Sequence, residues 1–111
     1  MDIIFESTRF HGECNDQRQL IKRHGAEQAK RITLRLTALR AARCLEDMRH
    51  APGRCHELRG DRAGVLSLDL THPYRLLFTP AHNPLPLKPD GGLDWAAVTA
   101  VTIIGVEDTH D

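Results

Sequence analysis

The chain has 111 residues, of which 41% are hydrophobic and 27% charged. That is the length of one domain with one compact core, and it excludes multi-domain machinery. Its 15 basic and 15 acidic residues cancel, and with ordinary apolar content this is not the composition of a disordered chain.

The zero net charge hides an uneven distribution. Residues 1–16 carry one base and four acids, net −3; residues 17–62 carry twelve bases and five acids, net +7; residues 63–111 carry two bases and six acids, net −4. A basic face of this kind attracts polyanions without regard to sequence, while opposite-sign segments can also meet inside one neutral fold. Charge alone does not choose between these.

No run approaches the roughly 20 apolar residues of a membrane span. The opening Met1-Asp2-Ile3-Ile4-Phe5-Glu6 has an acid where a signal peptide carries bases, so no leader is expected. Cys14, Cys44 and Cys55 are odd in number and form no CxxC pair. The expectation is three thiols in a reducing cytoplasm, without membrane contact.

In chain order, Asp2–Glu6 reads as a short strand. Asn15 or Asp16 is placed to cap a helix through Arg23, with Leu20 and Ile21 as its apolar contacts and Gly25 as its stop. From Ala26 to Arg43, the residues Ala29, Ile32, Leu36 and Leu39 recur at spacings of three and four and predict the clearest helix. A helical turn at Leu45–Met48 ends before Pro52-Gly53. There the period changes to two. Arg54–Leu58 reads as a strand and Gly60–Gly64 as a turn. Val65–Leu70 alternates, with Leu66, Leu68 and Leu70 on one face and Ser67 and Asp69 on the other. Tyr74–Thr79 is a further strand. Residues 80–94 hold four prolines and Gly91-Gly92 and predict a long irregular loop, which Trp95 is expected to anchor on the core. A β-rich run, Ala97–Glu107, closes the series. The order predicts an α+β domain over 1–111: a curved, mainly antiparallel sheet of four to five strands with two N-terminal helices packed on one face.

The run Pro52-Gly53-Arg54-Cys55-His56-Glu57-Leu58-Arg59-Gly60-Asp61-Arg62-Ala63-Gly64, then Leu66-Ser67-Leu68, then Tyr74-Arg75-Leu76-Leu77-Phe78, and finally Glu107-Asp108-Thr109-His110, resembles the RelE/ParE toxin superfamily. Its closest branch is the HigB-type "killer protein" toxins of type II toxin–antitoxin systems. The resemblance spans nearly the whole chain. Two features depart from the family pattern: Thr109 stands where a Tyr is usual, and the proline-rich loop 80–94 looks like an insertion before the last strand.

That resemblance implies a RelE-like fold and ribosome-dependent cleavage of mRNA by attack of a 2′-hydroxyl on the adjacent phosphate. Such a reaction needs a base, an acid for the leaving 5′-oxygen and cations for the developing phosphorane charge. The nucleophile belongs to the substrate, so neither a metal nor another cofactor is expected. Imidazoles suit both proton roles, which points to His56 and His110. Asp108 is expected to orient an imidazole or contact substrate, and Arg75 and Arg59 to clamp phosphate, with help from Arg62. Thr109 takes the base-contacting position of the missing Tyr. The implied partners are a cognate antitoxin of helix-turn-helix, HigA-like type, together with the ribosome and mRNA. The competing readings are a ParE-like inhibitor of a protein target such as gyrase, and a toxin-derived binding domain without activity.

The residues also leave plainer readings open. His56 suits a half-buried strand position, Arg75 a salt bridge to Asp69, and residues 108–111 a solvated tail. The spacing of Cys44, His50, Cys55 and His56 fits no structural zinc site. Cys55 and His56 are adjacent on a strand and therefore face opposite ways, so they form no thiol–imidazole pair.

Overall fold

A computed structural model describes residues 1–109. Five strands form one sheet in the order β1-β5-β4-β3-β2: β1 (Asp2–Phe5), β2 (His56–Glu57), β3 (Leu66–Asp69), β4 (Tyr74–Pro80) and β5 (Ala100–Asp108). Three of the four pairings are antiparallel, as expected, but β1 runs parallel to β5, so the sheet is mixed. The reason is topological. Between β1 and β5 lie the three α-helices and the other three strands, and a connection of that length lets a parallel edge form where a hairpin turn does not.

Three helices precede β2 rather than two: α1 (Thr8–Cys14), α2 (Gln17–His24) and α3 (Ala26–Ala41). Ser7 caps α1 by accepting from the Phe10 amide at 3.1 Å. The α1 helix buries only Phe10, so it carries no stripe that periodicity can detect. Asp16 caps α2 and Gly25 stops it. Leu20 is fully buried, whereas Ile21 is exposed on the outer face, against the expectation that both make core contacts. The α3 stripe is as read: Ala29, Ile32, Leu36 and Leu39 pack on Leu66, Leu68, Leu76, Phe78, Val101 and Ile103 of the sheet.

Two register details position the open face of the sheet. Leu77 pairs with Gly105 but Phe78 pairs with Ile103, so Ile104 is an extra residue in β5. Gly105 (φ 151°) takes a backbone conformation that side chains disfavour, and a bulge of this kind bends its strand. Beyond it Glu107 falls opposite Arg75, which is opposite Asp69 on β3. One row back, His56 lies opposite Ser67, which lies opposite Leu77. The second strand is shorter than Arg54–Leu58 because Arg54 adopts a left-handed backbone (φ 49°), which an extended ladder does not accommodate. Pro80 still belongs to β4, opposite Val101, and the rest of loop 80–94 is irregular, as expected, apart from one bridge between Leu87 and Leu93. Trp95 is buried at its end. Among the described residues no helix is long and apolar enough to cross a membrane.

Candidate functional site

A cleft of about 500 Å³ opens at the β2 end of the sheet, lined by His56, Glu57, Leu58, Arg59, Asp61, Arg62, Asp108 and Thr109. Five of the residues singled out in the sequence meet here: His56, Arg59, Arg62, Asp108 and Thr109. The reason is simple. His56, Arg59 and Arg62 lie on β2 and the turn after it, and the bent end of β5 delivers Asp108 and Thr109. His110 lies outside the described residues.

His56 is held from one side. Its Nδ1 stands 2.7 Å from the carbonyl oxygen of Arg54. A carbonyl only accepts, so Nδ1 carries the proton, and in the neutral ring Nε2 carries the lone pair. The left-handed turn at Arg54 aims that carbonyl, and the Arg54 side chain is itself fixed on Asp69, with Nε donating to Oδ2 at 2.7 Å. Nothing in the sequence marks this role for Arg54. A single non-glycine residue at positive φ leaves no compositional trace. Gly53 does have a visible logic: with φ 111° and the Arg35 Nε only 2.8 Å from where a Cβ would sit, no side chain fits. Arg35, nearly buried on α3, donates from that Nε to the Asp69 carbonyl at 2.8 Å. Burial pulls its guanidinium pKa down, and Arg31 nearby adds to this. Asp69 is therefore a hub for two elements: its backbone holds α3 and its carboxylate holds the turn that carries His56.

The arginines divide. Arg59 is exposed in the cleft and has no ion-pair partner among the described residues. Arg62 pairs with Glu107 through a short contact to Oε1, fastening the turn after β2 to the end of β5. Arg75 is not in the cleft. Its Nε lies 3.5 Å from Asp69 Oδ1, and it lines a smaller recess of about 90 Å³ with Arg54, Asp69, His72 and Tyr74. The salt bridge left open by the sequence is thus observed. The physical cause is register: Asp69 and Arg75 are cross-strand partners, and opposite charges at that spacing pair.

Two buried hydroxyls, Ser67 Oγ and Thr109 Oγ1, have no hydrogen-bond partner among the described residues. An orphaned hydroxyl costs about 1–3 kcal/mol. The Thr109 residue also lines the cleft. The thiol of Cys55 packs toward the core, and burial pushes its pKa up to about 12, so it is no nucleophile at neutral pH. Among the described residues no group of three or more His, Cys, Asp or Glu is placed to hold a metal ion.

Comparison with known proteins follows the fold rather than the sequence. No family model matches the chain, and no curated protein matches it. Solved structures do match, among them three over nearly the full length of both chains. The YoeB dimer from Staphylococcus aureus shares 15% identity at a TM-score of 0.57, covering 99% of this chain and 98% of that one. The YoeB–YefM complex from the same organism shares 14% at 0.56, with 99% and 98% covered. The YoeB/ParE toxin from Agrobacterium tumefaciens shares 17% at 0.56, with 99% and 100% covered. At these identities the likeness is one of fold. The chain folds as these proteins do.

Proposed function

We propose that this protein is the toxin of a type II toxin–antitoxin system and that it cleaves mRNA on the ribosome by 2′-hydroxyl attack. The observation that carries the reading is the cleft itself: an imidazole with its Nε2 lone pair set by a backbone carbonyl, the exposed guanidinium of Arg59, and the carboxylate of Asp108 lining the same space. His56 takes the 2′-hydroxyl proton, Arg59 meets the phosphate, and Thr109 lines the substrate space in place of the usual Tyr. His110 supplies the proton for the leaving 5′-oxygen, and Asp108 orients it; this half of the site rests on the sequence motif alone. Arg75 acts indirectly, by holding Asp69. Cleavage so arranged uses no metal, because the attacking oxygen is part of the RNA.

The HigB-type assignment rests on the motif order around His56 and 107–110. A cognate antitoxin, of helix-turn-helix type on that assignment, is the expected partner. Supporting it, one of the proteins with this fold is a toxin captured in complex, YoeB with YefM, and the helices here present bases such as Lys22, Lys30 and Arg40 to solvent for acidic groups to meet.

Primer extension on a reporter mRNA during expression in cells tests the reading. Discrete cleavage within the coding region, lost in His56→Ala and His110→Ala, is the expected result. Growth inhibition with intact mRNA would overturn the nuclease and favour the ParE-like inhibitor of a protein target.

A further inference from the structure

The cleft does not end at His56. A second recess of about 430 Å³ shares His56, Glu57, Leu58 and Arg59 with it and continues around the sheet edge to Cys55, Arg49 and Trp95. At its far end the Arg49 guanidinium carbon lies 4.0 Å from the centre of the Trp95 ring. This cation–π pair is fixed on both sides. The indole Nε1 donates to Glu57 Oε2 at 3.0 Å, and the Arg49 Nε is held by Glu46. Arg49 nevertheless stays 46% exposed while Trp95 is buried. One face of the guanidinium is therefore covered by the indole, and the other is presented to the recess.

We propose that Arg49 on Trp95 is a stacking platform for a nucleobase, forming a subsite for a nucleotide next to the one bound at His56 and Arg59. A planar guanidinium is a recognised partner for an unstacked RNA base. Clamping it between indole and carboxylate removes the conformational freedom that binding would otherwise have to suppress. The shared wall at His56–Arg59 makes the two recesses continuous, so one single strand can occupy both. This inference rests on the nuclease reading, since it presumes that the occupant of the cleft is RNA. The Arg49–Trp95 pair draws on the end of loop 80–94, so the departure from the family pattern becomes a means of reading or gripping the strand.

The test uses a fluorescently labelled 2′-O-methyl hexaribonucleotide, which cannot be cleaved, and a second strand with the same backbone but abasic positions. Anisotropy gives affinities for the wild type, Arg49→Ala, Arg49→Lys and Arg59→Ala. Trp95 is the only tryptophan, so its emission reports whether each variant keeps its packing. Arg49→Ala is expected to weaken the hexanucleotide by about 5- to 30-fold, and Arg49→Lys by nearly as much, because lysine restores charge but no plane. The abasic strand should not distinguish the wild type from Arg49→Ala. Full recovery in Arg49→Lys, or equal loss on the abasic strand, would mean that Arg49 acts as a charge alone and would overturn the platform. If Arg59→Ala weakens binding and Arg49→Ala does not, the platform fails while the RNA-binding cleft stands. A folded wild type that binds neither strand would remove both.

Discussion

The two faces of one sheet are built from the same strands but do opposite work. Toward the helices, Leu66, Leu68, Leu76, Phe78, Val101 and Ile103 are fully buried against α2 and α3. Toward the open side, the same strands present His56, Asp69, Arg75 and Glu107, with Ser67 and Leu77 buried beneath them. Strand alternation alone produces this division. The difference teaches that stability and chemistry are separable here: the helix face holds the backbone still, and the open face carries groups whose loss need not unfold it.

Breaking that separation is the strongest test. His56→Ala should cost about 100- to 10,000-fold in mRNA cleavage, or about 3–5.5 kcal/mol of barrier, if His56 is the general base. Its thermal midpoint should stay close to that of the wild type, because His56 is half-buried at a sheet edge. Phe78→Ala, one face over, should show the reverse: a loss of about 3–5 kcal/mol of stability from the cavity it leaves, read as a lower urea midpoint, with the surviving folded fraction still cleaving. If both variants lose activity and stability in proportion, the two faces are not independent.

Much of this division was legible beforehand. The alternation in 65–70 and 74–79, the α3 stripe, the Asp16 cap and the Gly25 stop are all local signals, and each found its place. His56, Arg59 and Arg62 were legible together because seven residues span them. The features with no local signal in the sequence come from two other sources. The α1 helix buries one side chain and so has no period to detect. The parallel β1–β5 edge, the Asp69 hub and the Arg49–Trp95 pair join residues far apart in the chain, and the conformation of Arg54 is set by what surrounds it. Arg75 shows a different limit: its residue type suits a phosphate and also the acid opposite it on β3, and the fold shows the pair with Asp69.

Arg54 offers a smaller and more pointed test. A left-handed non-glycine residue carries about 1–2 kcal/mol of backbone strain, and its exposed pair with Asp69 returns at most about 1 kcal/mol. Arg54→Gly should therefore leave stability unchanged or raise it by about 1 kcal/mol, measured by urea unfolding. Cleavage should fall, because a carbonyl no longer clamped through Asp69 fixes His56 less well. Nitrogen-15 spectra of the imidazole, which distinguish the two tautomers, should show the Nδ1–H form dominant in the wild type and depleted in the variant. An unchanged tautomer would assign Arg54 to structure alone.

The last effect lies on the helix face and appears only at high pH. Burial pushes the Cys55 thiol up to about 12, with the nearby Glu57 carboxylate adding to the rise, and the Cys14 thiol up to about 11 by burial and the neighbouring Glu13. In the unfolded chain such thiols titrate near 9.0. Between the two values the unfolded state sheds a proton that the folded state keeps, so the folded state binds more protons and stability falls as pH rises. Below about pH 9 both states hold the proton and the contribution is flat. The urea midpoint should accordingly decline as pH rises from about 9 toward 12. Other groups titrate in that range, so the informative quantity is the difference between the wild type and Cys55→Ala. That variant loses some packing at every pH, and its midpoint should approach that of the wild type as pH rises through the window. Parallel curves would mean that the Cys55 thiol ionises as easily folded as unfolded, and would place it outside the packed side of the sheet.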